Sequence, residues 1–322
     1  MRADIDKTAT VPTAPALPRV RAAAPPTRAR ALTVAALRSL RRSWPVLIVG
    51  VALIALWYAV GLYDDIPAAS QLLGPGASSG QVWNAALDLH NPWVPLPHQV
   101  LADFFGALAQ PLDAPSGLWL HMGTTGMEAL LGLIAGTVLG VLIATVFVLS
   151  RLVERTFLPY VVASQTVPVI ALAPIIISVF GISLTSKVII STYLTFFAVA
   201  VSTTKGFKST APLAHELMRS YAANPWQIYW KLRFPTALPY LFTGLKVAAT
   251  ASLVGAIIAE LPFGSATGLG ARLLQATTYD ATVAIWSTIL AAAVLGMVAY
   301  GAIALLERLV VRRPATGVGG PE

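Results

Sequence analysis

Apolar positions gather into six long runs, at about residues 45–63, 129–150, 157–181, 188–204, 241–261 and 282–306, with polar breaks of unequal length between them. Each run is near the roughly 20 residues needed to cross a bilayer as a helix. The pattern therefore predicts an all-α integral membrane protein with six transmembrane helices: a first one over 44–63 and a five-helix core over 118–310. In the second run Gly132, Gly136 and Gly140 recur every four residues, a stripe that predicts close packing of another helix. The third carries Pro159, Pro168 and Pro174. Prolines at membrane depth strand carbonyl groups, so this span is expected to be kinked against a partner or to lie beside a pathway.

The polar segments orient the bundle. Residues 1–43 are rich in Ala, Pro, Thr and Arg and hold nine basic residues, and they are expected to be a disordered cytoplasmic segment. The apolar run that follows is longer than a signal-peptide core and ends at Asp64-Asp65, which favours an uncleaved anchor. Residues 64–117 contain no Lys or Arg but five Asp, so they are assigned outside, with a short amphipathic helix at Val100–Leu108 on the outer surface and irregular chain elsewhere. Of 22 Lys and Arg, only Lys187 and Arg272 fall on the outer side of this topology. Both termini, including the tail 311–322, are expected in the cytoplasm, and the chain in the plasma membrane.

Composition agrees and narrows the chemistry. The chain is 56% hydrophobic and 11% charged, against about 25% charged in soluble domains. It has no cysteine, which excludes disulfides, thiolate metal sites and cysteine nucleophiles. The formal charge of +8 sits at the ends of spans, not on an aromatic-interleaved stripe, so nucleic acid is not an expected partner. Gly76-Ala77-Ser78-Ser79-Gly80 fits the hydrolase pattern G-x-S-x-G but lacks the strand that such an elbow follows. His90, His98, His121 and His215 show no metal-ligand spacing, and no phosphate-binding G-x-x-x-x-G-K-[ST] occurs. No catalytic or metal residue is assigned. Energy for transport would have to come from a partner or from a gradient.

One polar break is unlike a linker. His215 to Pro239 carries Glu216, Arg219, Lys231 and Arg233 interleaved with Trp226, Ile228, Tyr229, Trp230, Leu232 and Phe234. Asn224-Pro225 reads as a helix start, and Pro235 as the end of that helix. The prediction is a helix, a corner and a second helix with an aromatic face, outside the membrane. The aromatics fit either an interfacial belt or a face that docks on a partner.

This stretch resembles the cytoplasmic loop of the binding-protein-dependent ABC import permeases: E-A-A, three residues, G-A, five residues, F, two residues, I, one residue, L-P. Glu216 falls on the E, Ala222-Ala223 on G-A, Tyr229 on F, Leu232 on I and Phe234-Pro235 on L-P, without a gap. Leu217 and Met218 replace two alanines, and Ala222 replaces a glycine that often takes a left-handed conformation, so the corner here is expected to be set by Asn224-Pro225 instead. The runs QTVPVIALAPIIISVFG, PTALPYLFTGLKVAA and GLG at 268–270 resemble the nitrate, taurine, sulfonate and thiamine-precursor branch. The resemblance implies a type I importer fold in which loop 208–239 meets ABC ATPase subunits, which bind the ATP. No cofactor is implied for this chain itself. It also implies an extracytoplasmic solute-binding protein and a second permease chain, identical or different. Coupling is then expected at Glu216, Ala222, Ala223, Asn224, Pro225, Tyr229, Leu232 and Pro235. The solute it suggests is a nitrogen heterocycle such as a pyrimidine, a thiamine precursor or riboflavin, with sulfonate, nitrate or another small anion as the alternative.

Polar residues in the runs supply the remaining candidates. Glu260 closes the fifth run, where similar permeases also have a Glu; it either faces a substrate route or reaches interfacial water. Gln165, beside Pro168, either lines that route or bonds a neighbouring helix. Lys246 is expected to snorkel, and the hydroxyls of Thr125 and Ser191 to bond back to their own helices. An intramembrane hydrolase would need a nucleophile and base facing each other, and no His lies at the centre of a run. A passive channel or secondary transporter would have no ATPase partner.

Overall fold

The computed structural model describes residues 28–261 and 265–311, with side chains from Trp44 onward. The expectations for 1–27 and 312–322 lie outside them. In chain order the helices are α1 Arg28–Leu73, α2 Ser79–Leu87, α3 Pro97–Leu108, α4 Leu118–Leu149, α5 Arg151–Ser164, α6 Val169–Phe180 and α7 Leu184–Lys208. There follow α8 Pro212–Ser220, α9 Pro225–Ile228, a π turn Tyr229–Arg233, α10 Phe234–Glu260, α11 Leu269–Thr278 and α12 Thr282–Val310. The chain divides into two units at Ala55/Leu56, the described part of the first being the leading half of α1.

Among the described residues, five helices are long and apolar enough to cross a membrane: Trp44–Leu73, Leu118–Leu149, Leu184–Lys208, Pro225–Glu260 and Thr282–Val310. The sixth expected span, 157–181, is not one rod. It is α5 and α6, bent by 94° at Gln165–Pro168. Pro168 has no N–H to continue the ladder and holds Val167 away from helical dihedrals, so the helix ends and restarts. The stranded Ser164 carbonyl accepts the Tyr193 hydroxyl from α7.

α1 starts at Arg28, inside the segment expected to be disordered, and runs ten residues past the expected end at Tyr63. Charge at Asp64-Asp65 ends an apolar stretch but not an intrahelical hydrogen-bond ladder. The expected irregular loop 64–117 is largely helical. Its G-x-S-x-G stretch is a helix cap, in which Ser78 accepts from the Gln81 amide and Gln81 returns the bond to Ser78 N. The amphipathic helix expected at Val100–Leu108 is α3. It is amphipathic: Phe104 and Ala107 pack with Leu118, Leu269 and Ala291 from α4, α11 and α12, while Leu101 and Phe105 stay exposed.

The centre of the bundle is α7, flanked along its length by α4 and α10. Gly132, Gly136 and Gly140 make the α4 contact possible. A Cβ on Gly132 would overlap the Ser191 side chain, one on Gly136 the Thr195 hydroxyl, and one on Gly140 would sit 2.7 Å from the Phe196 carbonyl. On the other side, a Cβ on Gly255 would come within 2.8 Å of the Ser191 Cα. At such separations hydroxyls reach neighbouring helices. Ser191 donates to the Ser252 carbonyl of α10 (2.8 Å), where a bond to its own helix was expected. Lys246 pairs with Glu307 of α12.

Candidate functional site

The polar loop after α7 is a short helix, a corner and a second helix. α8 buries none of its own residues and leaves Leu213, Leu217 and Tyr221 exposed. It ends in a Schellman turn, with Ala223 N–H bonding the Met218 carbonyl (3.0 Å), Ala222 N–H bonding that of Arg219 (2.9 Å), and Ala222 at φ +55°. The left-handed corner survives the loss of glycine, contrary to expectation, and Asn224 then caps the next helix by accepting from Gln227 N (2.8 Å). A left-handed alanine costs about 1 kcal/mol. Ala222→Gly is therefore expected to stabilise the corner by up to about that much, read as slower amide hydrogen exchange over residues 221–224; faster exchange would contradict the assigned turn.

The second helix does not stop before Pro235. The π turn Tyr229–Arg233 carries it, with Phe234 N–H bonding the Tyr229 carbonyl five residues back, straight into α10. A widened turn absorbs the proline ring that a tight α turn would reject. The loop's second arm and the α10 span are thus one continuous helix. Tyr229 anchors it: buried, it packs 5.3 Å from the Phe207 ring and hydrogen-bonds Thr145 of α4 (2.8 Å). Trp226 stacks on Tyr229 (5.8 Å) yet stays 62% exposed, and Trp230 is 47% exposed. Of the other loop candidates, Glu216, Ala222, Asn224, Pro225 and Pro235 are exposed, and Ala223 and Leu232 half-buried.

At the opposite end of α10, Glu260 is 0% exposed. Its Oε1 accepts the Thr125 hydroxyl (2.7 Å) and its Oε2 the Gly270 N–H (2.6 Å) at the first turn of α11. Thr125 in turn accepts from Leu269 N (2.8 Å). The carboxyl so clamps the Gly268-Leu269-Gly270 turn. His121 completes it. Nε2 donates to the Pro115 carbonyl (2.9 Å), while Nδ1 lies 2.9 Å from Gly268 O and 3.1 Å from Gly268 N. Beside the clamp, Lys187 of α7 donates to Glu128 of α4 (2.6 Å) and to Ser265 (2.9 Å), with both charged side chains over nine-tenths buried.

Residues 136–312 match the family model described as binding-protein-dependent transport system inner membrane component. The chain belongs to this family of ABC importer permeases. It is 36% identical over 191 residues, 59% of this chain and 76% of the relative, to the formylaminopyrimidine transport permease protein ThiX of Halalkalibacterium halodurans. To the riboflavin transport system permease protein RibX of Chloroflexus aurantiacus it is 32% identical, over 69% of this chain and 81% of the relative. To the taurine transport system permease protein TauC of Escherichia coli it is 29% identical, over 70% and 82%. An inward-facing structure of the MetNI methionine ABC transporter shares the fold, with a TM-score of 0.54 at 20% identity over 61% of this chain and 98% of that one. The permease is thus an all-helical, multi-pass inner-membrane protein of the type I ABC importer fold.

The permease separates its candidates into two groups. The loop set comes together, with Tyr229 turned inward as an anchor instead of outward. The pathway set does not: Gln165 and Pro168 sit exposed at the α5–α6 break, whereas Glu260 is sealed among Thr125, Gly268 and Gly270 at the other junction. Glu128, Lys187 and His121 were missed as a group. The available signal was Lys187, one of two cations out of place in the topology and 59 residues from a lone acid.

Proposed function

We propose that the permease is the transmembrane half of an ATP-driven importer for a small nitrogen heterocycle, a pyrimidine or thiamine precursor or riboflavin. It works as a homo- or heterodimer, with ATP bound by ABC ATPase subunits under loop 208–239, both termini on that side, and a solute-binding protein opposite. The observation that carries the mechanism is the unbroken helix from Pro225 to Glu260. A push on the exposed face of Leu213, Leu217, Tyr221 and Trp226 moves a rod that ends in the Glu260 clamp, so loop and far junction shift as a rigid body. Glu216, Ala222, Ala223, Asn224 and Pro225 shape the contact, while Tyr229, Leu232 and Pro235 tie it to the bundle.

For the solute, two of the more similar relatives are named for formylaminopyrimidine and riboflavin. Both lysines placed within the bundle are neutralised, Lys187 by Glu128 and Lys246 by Glu307, which leaves them no free charge for an anion such as a sulfonate or nitrate. Uptake by the reconstituted complex with its binding protein checks this. Labelled aminopyrimidine or riboflavin should be taken up and taurine should not; the reverse preference overturns the assignment. Glu216→Ala and Ala223→Arg should each lower substrate-stimulated ATPase activity and uptake about tenfold or more. Full activity in both would remove the loop from the mechanism. The chain lacks cysteine, so single-cysteine labelling from either side of the membrane fixes the side of the loop independently.

A further inference from the structure

Where α4 ends and α5 begins, a cavity of about 710 Å³ opens between α5, the end of α7, α8 and the π turn. Arg151, Arg155, Arg219, Arg233 and Lys208 line it, against only Glu154 and Glu216. Lys208 and Glu154 pair with each other, so four guanidiniums face a single unpaired carboxylate. Arg151 and Arg155 stand one helical turn apart on α5. Arg233 donates one Nη1–H to the Val148 carbonyl (3.1 Å), but its buried Nε has no partner among the described residues. His215 registers the same positive field: burial, then Arg233 and Arg219, hold its pKa below the ordinary histidine value.

The floor of this cavity is apolar, with Phe147, Leu158 and Phe207. Sharing Phe147, Glu154, Leu158 and Lys208 with it, a second cavity of about 160 Å³ lies between α5 and α7, lined further by Val161, Ala200, Val201, Thr204 and Lys205. A cationic chamber at the end of the spans thus adjoins a narrow, mostly apolar groove beside them. A free phosphate would use only the first, and an acidic peptide would have no use for the second. An amphiphile with an anionic head uses both, and basic pockets between membrane helices suit such headgroups.

We propose that the joined cavities hold one anionic phospholipid, its phosphate against Arg151, Arg155, Arg219 and Arg233 and the start of one acyl chain in the α5–α7 groove. The lipid would brace α8 and the π turn against α5 from below the lever. The inference requires only that this end of the bundle lie at a headgroup layer, not that any solute be transported.

Native mass spectrometry of the delipidated full-length chain in detergent tests it, with phosphatidylglycerol, phosphatidylcholine and inorganic phosphate added separately. One phosphatidylglycerol should be retained at concentrations where phosphatidylcholine is not. The exposed pair Arg151→Gln/Arg155→Gln should weaken retention about 25-fold, on the order of fivefold per arginine. Val201→Phe, which fills the groove, should also weaken it while leaving the arginines intact. Equal retention of the two lipids, or no effect of the arginine pair, overturns the proposal. Undiminished lipid binding by Val201→Phe, or displacement of the lipid by millimolar phosphate, would make the site one for a free anion and overturn it likewise.

Discussion

Replacing Lys187 with methionine is expected to lower the stability of the detergent-purified chain by about 3–5 kcal/mol, since it leaves a buried carboxylate without its cation. Glu128 is 3% exposed, and its second oxygen already has no partner among the described residues. The same substitution takes from Ser265 the ammonium that ties it to α7. Glu128→Leu together with Lys187→Met should recover most of the loss, because a buried ion pair replaced by apolar groups of similar volume is often close to neutral. Thermal unfolding of the parent and the two variants separates the cases. A single Lys187→Met variant within about 1 kcal/mol of the parent would mean the pair is solvated in a way that its burial contradicts.

The second large effect is at Gly268. Its φ of +119° and ψ of 160° belong to a region that is essentially glycine's alone, and a Cβ there would overlap the Glu260 carboxyl. Gly268→Ala is expected to cost about 3 kcal/mol or more, backbone strain and overpacking contributing together. Glu260→Ala alone should also destabilise, by roughly 1–3 kcal/mol for each group it orphans, namely the Gly270 N–H and the Thr125 hydroxyl. The double variant carries the information. Removing the carboxyl removes the overlap, so the two losses should sum to clearly more than the double variant shows. Additivity within about 0.5 kcal/mol, as for independent sites, would separate Glu260 from the turn. If Glu260 met solute instead of bracing the turn, its substitution would alter uptake with little change in unfolding temperature.

The Lys187–Glu128 contact spans 59 residues of chain and the Thr125–Glu260 contact within the turn clamp 135, and that separation explains what could not be read in advance. The apolar runs marked the membrane helices because hydropathy is a local property. The lever loop was legible because Glu216 to Pro235 holds its signals in one short window. The α5–α6 break was half legible: Pro168 marked the weak point, but whether a proline kinks a span or divides it depends on what receives the freed carbonyls, here Tyr193. The glycine stripe at 132, 136 and 140 announced a close neighbour without saying that it would be α7.

Residue type and order alone thus settled the all-helical membrane class, the number of candidate spans among the described residues to within the one broken pair, and the place of the polar loop. Hydrogen-bond ladders and transfer into hydrocarbon both act over a single turn or a single span, so their traces stay in sequence. Tertiary structure alone decided that Glu260 braces a turn, that Lys187 and Glu128 neutralise each other, and that the lever and α10 are one rod. Charges and hydroxyls in an apolar bundle take whichever partner packing brings within 3 Å, and that partner is set by how the helices cross.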